Sequence, residues 1–314
     1  MAFWNGLHLK SFVENNFGIV FIIFFALGFI IPGLDGLHPA TINVFLALVI
    51  FFSCPKIIWS NFGRGHLNAP AVFYISRFLV FPVCLFWGLN MVLPTEYAIA
   101  ALLLALSPAG VSALPLSVLL GGNSVLALIL VVSSFALCPF ILPAILSFLG
   151  FSGVHIDPVN MGMLLLLIIF LPSFIYFSIF KKYIPKADQW MDENGSFWSA
   201  IFIGAMVMLI VALRKEHFFI DFSILWISVL LLSIVYGAFY VFGWLFAWKM
   251  EEDKKISYAV ASGANSNSVG LAIGFLYFAP EVGVIMAVGE IPWILLIYLF
   301  ETFIRKRKRL KNQS

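Results

Sequence analysis

The stretch "ASGANSNSVGLAIGF", residues 261–275, puts Gly263, Asn265, Ser266, Asn267 and Ser268 almost side by side inside a run that is otherwise apolar. A plain membrane helix has no use for such a cluster, whereas a helix that unwinds there does. The surroundings say which applies. Of the 314 residues, 62% are hydrophobic, 11% are charged and 35 are Phe, a profile that a water-soluble domain of this length cannot carry on its surface. The chain therefore reads as an all-α polytopic membrane protein. A formal charge of +3 is too small to point to nucleic acid, and the basic residues cluster as topology signals do. Cys54, Cys84 and Cys138 lie in apolar segments without CxxC spacing and read as buried small hydrophobes.

A bilayer asks for about 20 apolar residues per helix. Reading between charge, Pro and Gly punctuation predicts ten spans, at 17–33, 39–55, 70–93, 96–120, 124–149, 159–180, 197–213, 222–248, 256–279 and 281–304. With alternate sides assigned, one face collects Lys10, Lys56, Arg64, Lys181, Lys182, Lys186, Lys249, Lys254, Lys255 and the tail "RKRKRLK", and the other only Arg214 and Lys215. That asymmetry predicts both termini in the cytoplasm of a multi-pass protein of a plasma or inner membrane. The N-terminus lacks a small-residue cleavage site after a short apolar core, so the first apolar run reads as retained. The sequence sets no oligomeric state.

Ten spans divide into two fives, and an odd number per unit places two copies upside down relative to each other. Sliding the chain by 153 residues lays "CPFIL" from Cys138 over "IPWIL" from Ile291, and Gly110 of "SPAG" over Gly263 of "SGAN". The predicted layout is a cytoplasmic N-terminus at 1–16, a first five-helix repeat at 17–149, a loop at 150–158, a second repeat at 159–304 and a basic tail at 305–314. A polar cytoplasmic hinge loop at 181–196 falls within the second repeat.

In that register "LSPAGVSALP", residues 106–115, interrupts the fourth span where the opening stretch interrupts the ninth. Pro108 deprives a helix of an amide, and Gly110 and Gly263 permit backbone geometries that other residues resist. Each of the two spans is expected as two half-helices that cross near the midplane. Unwound backbone at membrane depth persists only where protein, water, an ion or a substrate supplies partners. Half-helix N-termini suit an anionic group and C-terminal carbonyls suit a cation. Ser107, Pro108, Gly110 and Ser112 on one break, with Gly263, Asn265, Ser266, Asn267 and Ser268 on the other, are the candidate substrate- or ion-binding residues. The competing reading is that Asn and Ser merely glue helices together.

Glu290 of "AVGEIPWILL" joins them, because an unpaired carboxylate in a helix centre costs about 2.5 to 3.5 kcal/mol of insertion free energy. It is expected to handle an ion or proton, or to orient the ninth-span break; a protonated Glu bonded to a neighbouring amide satisfies the same physics. Arg77 of "YISRFLVFP" is expected to snorkel toward the cytoplasmic face, with pairing to Glu290 or attraction of an anion as alternatives. Ser133 and Ser134 are expected to bond their own helix, and Asn123 to cap the fifth span.

"LSPAGVSALPLSVLLGGNSVLALILVVSSFALCPFILPAIL" and "ISYAVASGANSNSVGLAIGFLYF" resemble the two crossing regions of the bile acid:sodium symporters, a family within a wider group that includes arsenite efflux carriers. "GEIPWILLIYLFETFIRKRK" is similar to the tenth helix and basic tail of the arsenite carriers. The resemblance implies sodium symport of an organic anion by alternating access, spans 1, 2, 6 and 7 moving against a core built on the crossed fourth and ninth. It also marks departures. Ala113 and Leu114 stand where sodium-coupled members carry a Ser-Asn pair, and Val260, Ala261 or Ser262 where they carry an acidic residue. No Cys occupies 107–120, which disfavours arsenite export.

The sequence thus predicts a secondary transporter of a small organic anion in the lipid bilayer, with no cofactor beyond sodium, for which Asn265 and Asn267 are the candidate ligands. The alternatives are a proton-coupled or uncoupled carrier or exporter, or a transport-inactive sensor, although no output module is visible. An enzyme is disfavoured because no His stands beside a Ser or Asp arrangement in the crossing.

Overall fold

The structure is a computed structural model that describes residues 10, 12–13, 17–56, 68–110, 112–151, 157–220 and 222–311. Among them the chain is all helical, apart from one isolated antiparallel bridge between Ala109 and Asn265. Among the described residues six helices are long and apolar enough to cross a membrane: Pro70–Asn90, Ser124–Leu149, Pro158–Tyr183, Pro185–Leu213, Ile224–Phe246 and Pro280–Leu310. These coincide with the predicted third, fifth, sixth, seventh, eighth and tenth spans. Shorter apolar helices occupy Thr41–Ser53, Thr95–Leu106 and Asn267–Tyr277.

In chain order the helices are α1 (Phe17–Ile30), α2 (Thr41–Ser53), α3 (Asn68–Tyr74), α4 (Phe81–Asn90), α5 (Thr95–Leu106), α6 (Ala113–Leu119), α7 (Ser124–Leu149), α8 (Pro158–Ile175), α9 (Lys181–Tyr183), α10 (Pro185–Ile220), α11 (Phe222–Phe246), α12 (Glu252–Gly263), α13 (Asn267–Tyr277), α14 (Pro280–Val288) and α15 (Glu290–Lys311). Short π-helical segments, Ile75–Val80 and Tyr176–Phe180, join α3 to α4 and α8 to α9.

The predicted fourth span is split into α5 and α6, and the ninth into α12 and α13, at the places where Pro108 and the Gly-Asn-Ser cluster interrupt them. The tenth is also divided, between α14 and α15 at Gly289, whose amide turns back to the Met286 carbonyl. Asn123 caps α7, its side-chain oxygen accepting the Leu126 amide at 2.9 Å.

Several expectations are corrected. The hinge at 181–196 is not a loop: Ile184 leaves helical geometry for one residue, and Pro185 then opens α10, which runs through the polar stretch. Pro is tolerated in a first helical turn, and the Ala, Glu and Gln that follow are good helix formers. Residues 305–311 of the basic tail are helical and belong to α15. Cys84 is exposed, although Cys54 and Cys138 are buried. Most of the predicted N-terminal segment 1–16 and much of the loop at 150–158 lie outside the described residues, as does Arg64.

Packing sorts the helices into two groups. α10 packs against α1 and α2, and α2 against α8; α11 packs against α12 and α15, α5 against α13 and α14, and α7 against α12. The groups meet through α7 with α8, α10 with α14, and α13 with α2. Near the start of α12 the turn after α6 is tied down from several sides. Gly121 takes a left-handed φ of 76°, Lys308 of α15 donates to the Leu120 carbonyl at 2.8 Å, and Ser117 and Ser257 share a 3.0 Å hydrogen bond. Arg307 of the same helix faces Glu252 at 3.4 Å.

α11 and α12 approach closely because Gly243 has no side chain; a Cβ there would lie 2.7 Å from Ala259 Cα and meet the Tyr258 carbonyl oxygen. Overfilling such a contact costs about 1–3 kcal/mol. Gly243→Ala should therefore lower the melting temperature of the detergent-solubilised protein. Gly88→Ala, where a Cβ meets nothing within 4 Å, should not.

Candidate functional site

The two breaks satisfy each other. The Gly110 amide donates to the Ala264 carbonyl at 2.6 Å, and the Ser266 amide donates to the Pro108 carbonyl at 2.8 Å. These two bonds form the isolated bridge, a fragment of sheet pairing inside a helical bundle. Gly110 is needed there, since a Cβ would stand 2.9 Å from the Ala264 oxygen.

A helix leaves its last four carbonyls without intrahelical partners. At the end of α5 three of these groups are capped from outside the regular ladder. The Leu103 carbonyl accepts Ser107 Oγ at 2.8 Å, Leu104 accepts Asn265 Nδ2 at 2.9 Å, and Ala105 accepts a guanidinium nitrogen of Arg77 at 2.8 Å. Ser134 of α7 bonds its own helix at the Val131 carbonyl, as expected, and also accepts the Ala109 amide at 3.0 Å.

On the second break Asn267 opens α13. Its Nδ2 donates to the Met286 carbonyl at 3.0 Å and to Glu290 Oε1 at 3.1 Å. Glu290, at the first position of α15, is 5% exposed. The carboxylate thus sits against the amide that starts α13. The side-chain Oδ1 atoms of Asn265 and Asn267 are buried and have no hydrogen-bond partner among the described residues.

Gly110, Ser112, Asn265, Ser266, Asn267, Ser268 and Glu290 all line one cavity of about 240 Å³. Its far wall belongs to the other helix group: Val49, Ile50, Phe52 and Ser53 of α2, with Ser196, Ser199, Ala200 and Ile203 of α10. Ser266 and Ser268 share a 3.0 Å hydrogen bond within it. Three predicted residues lie outside its lining. Ser107 is fully buried and faces Gly270, where a Cβ would come within 2.7 Å of its Oγ; Pro108 contributes only its carbonyl; Gly263 lies against the Tyr240 ring. A larger cleft of about 770 Å³, lined by α2, α7 and α8, is almost wholly apolar and contains none of the predicted site residues.

Arg77 corrects the sequence reading. It does not snorkel: it is 0% exposed, donates to neutral partners and lies 3.9 Å from the Phe239 ring centroid. Its only sequence signal was a charge in an apolar span, and three carbonyl and hydroxyl partners distant in sequence could not be read from that. The serines of α10 were also missed. Ser196 and Ser199, three apart on one helical face, lay at the edge of the supposed loop.

Among the described residues, six helices long and apolar enough to cross a membrane, packed with two broken helices that pair at their breaks beside a cavity, point to an integral membrane protein. The chain belongs to the sodium bile acid symporter family, whose model matches residues 41–219, more than half of its length. It is 24% identical over 315 residues, 97% of this chain and 95% of the relative, to an uncharacterized sodium-dependent transporter, YocS, of Bacillus subtilis (strain 168). A second protein of that organism, the uncharacterized YbaS, is 24% identical over 245 residues, 76% of this chain and 80% of its own. Membership of a symporter family points to a transporter rather than an enzyme.

Removing the Ser134 hydroxyl leaves the Ala109 amide buried without its acceptor, which costs about 1–3 kcal/mol. Ser134→Ala should lower the melting temperature. Ser233→Ala, whose hydroxyl bonds only the Val229 carbonyl of its own helix, should change it far less.

Proposed function

We propose that the chain is a secondary transporter that carries an organic anion together with sodium by alternating access. In this reading ten spans form two inverted five-helix repeats, 17–149 and 159–304, with both termini cytoplasmic. The panel of α1, α2, α8 and α10 moves against the group that holds the breaks, and the polar cavity between them opens to either side in turn.

The observation that carries the reading is the state of the two Asn amides. Both commit their N–H groups to protein carbonyls or to Glu290, and both keep a buried carbonyl oxygen without a hydrogen-bond partner among the described residues. Oxygens in that state fit a hard cation such as sodium, taken here as co-substrate. Neutral ligands also let the ion leave again. Asn267 and Ser268, the first residues of α13, stand at the positive end of a half-helix and line the same cavity, which favours an anionic group there. The name of the Bacillus relative, sodium-dependent transporter, agrees with sodium as the coupling ion.

A second reading, proton coupling, has one observation in its favour: Asn267 donates directly to Glu290, so a proton on that carboxyl reaches the start of α13.

The test is thermal stability of the purified protein at fixed ionic strength, with choline replaced by sodium. A ligand that binds only the folded state raises the midpoint, by roughly 5–10 °C near saturation. Asn265→Ala and Asn267→Ala are each expected to weaken the apparent sodium affinity by about tenfold, the effect of losing about 1.4 kcal/mol. An undiminished sodium response in both variants would remove the site assignment. Flux in vesicles separates the second reading: under proton coupling a pH gradient drives uptake in the parent chain and fails to in Glu290→Gln, while under sodium coupling it drives neither.

A further inference from the structure

Arg77 lies outside the polar cavity and takes no part in the proposed transport site. It sits in the π-helical turn Ile75–Val80, where the Phe81 amide reaches back to the Ser76 carbonyl and the helix widens. Such insertions often mark functional positions. From there Nε donates to Ser262 Oγ at 2.9 Å, one terminal nitrogen donates to the Ala105 carbonyl at 2.8 Å, and the other to the Ser262 carbonyl at 2.9 Å.

Those two carbonyls are the informative pair. Ala105 lies in the last turn of α5, which ends at Leu106, and Ser262 in the last turn of α12, which ends at Gly263. Each is the negative end of a half-helix, with carbonyls that no following turn can satisfy. A guanidinium placed between them meets two converging dipoles, one hydroxyl and the face of Phe239. No carboxylate lies within ion-pair distance of it among the described residues. A buried charge is normally paired, and here only helix ends, a hydroxyl and aromatic faces balance it. With Nε and both terminal nitrogens committed, the group is poorly placed to receive an anion.

We propose that Arg77 is a tethered cation: the C-terminal ends of α5 and α12 build a site for a monovalent cation, and the chain fills it permanently with its own guanidinium. The crossing of the two breaks is thereby held together in every salt condition, and any exchangeable ion binds elsewhere. Deleting the side chain should convert this site into one that depends on a free cation of the same chemistry.

The experiment uses full-length Arg77→Ala, purified and melted at fixed ionic strength in low-millimolar guanidinium chloride, sodium chloride or choline chloride. Urea, the neutral near-isostere of guanidinium, is the control. The variant should melt below the parent chain and regain at least about 3 °C in guanidinium, less in sodium, and nothing in choline or urea. The parent should show no guanidinium-specific gain. Asn267→Ala should behave like the parent toward guanidinium, which separates this site from the cavity site. The proposal is overturned if Arg77→Ala melts like the parent, responds to guanidinium no more than to urea, or cannot be recovered folded in any of these conditions.

Discussion

Everything in this fold answers to one constraint: peptide groups released by unwinding a helix inside a bilayer have no water to turn to. Two unwound segments solve the problem jointly. Gly110 donates to Ala264 and Ser266 donates to Pro108, so each break supplies partners that the other lacks. The remaining carbonyls at the end of α5 are met by Ser107, Asn265 and Arg77. The side-chain oxygens of Asn265 and Asn267, beside the cavity, keep no hydrogen-bond partner among the described residues.

The cavity owes its composition to the division of the bundle. One wall is made of unwound backbone and short polar side chains, the other of α2 and α10, which contribute serines among aliphatic and aromatic residues. Ser53 and Ser199 share a hydrogen bond of 3.2 Å across that second wall. A site assembled from two separately packed groups can change shape when the groups shift, without any helix having to unfold.

Much of this was legible in the sequence, because the features that break a membrane helix are compositional. Pro108, Gly110 and the Gly263 to Ser268 cluster announced both interruptions, and Glu290 announced itself by its cost. The offset of 153 residues sets Gly110 over Gly263, and the two breaks are paired through Gly110 with Ala264 and Ser266 with Pro108. The rest was hidden for a physical reason. Whether Arg77 reaches water or the interior depends on a π-turn and on carbonyls at Ala105 and Ser262, and hydropathy reports neither. The polar run after Tyr183 illustrates the opposite error: polarity alone suggested a loop, yet Ala, Glu and Gln after a leading Pro sustain a helix.

The basic end of α15 carries a consequence for anyone who would map the protein's orientation by moving charges. Lys308 holds the Leu120 carbonyl beside the left-handed Gly121, and Arg307 faces Glu252 at the entrance to α12. Residues that look like free markers of sidedness also touch the two broken segments, Lys308 at the end of α6 and Arg307 at the start of α12. Neutralising them would perturb the architecture along with the insertion signal, so a charge-swap study confined to this end would report a mixture of the two.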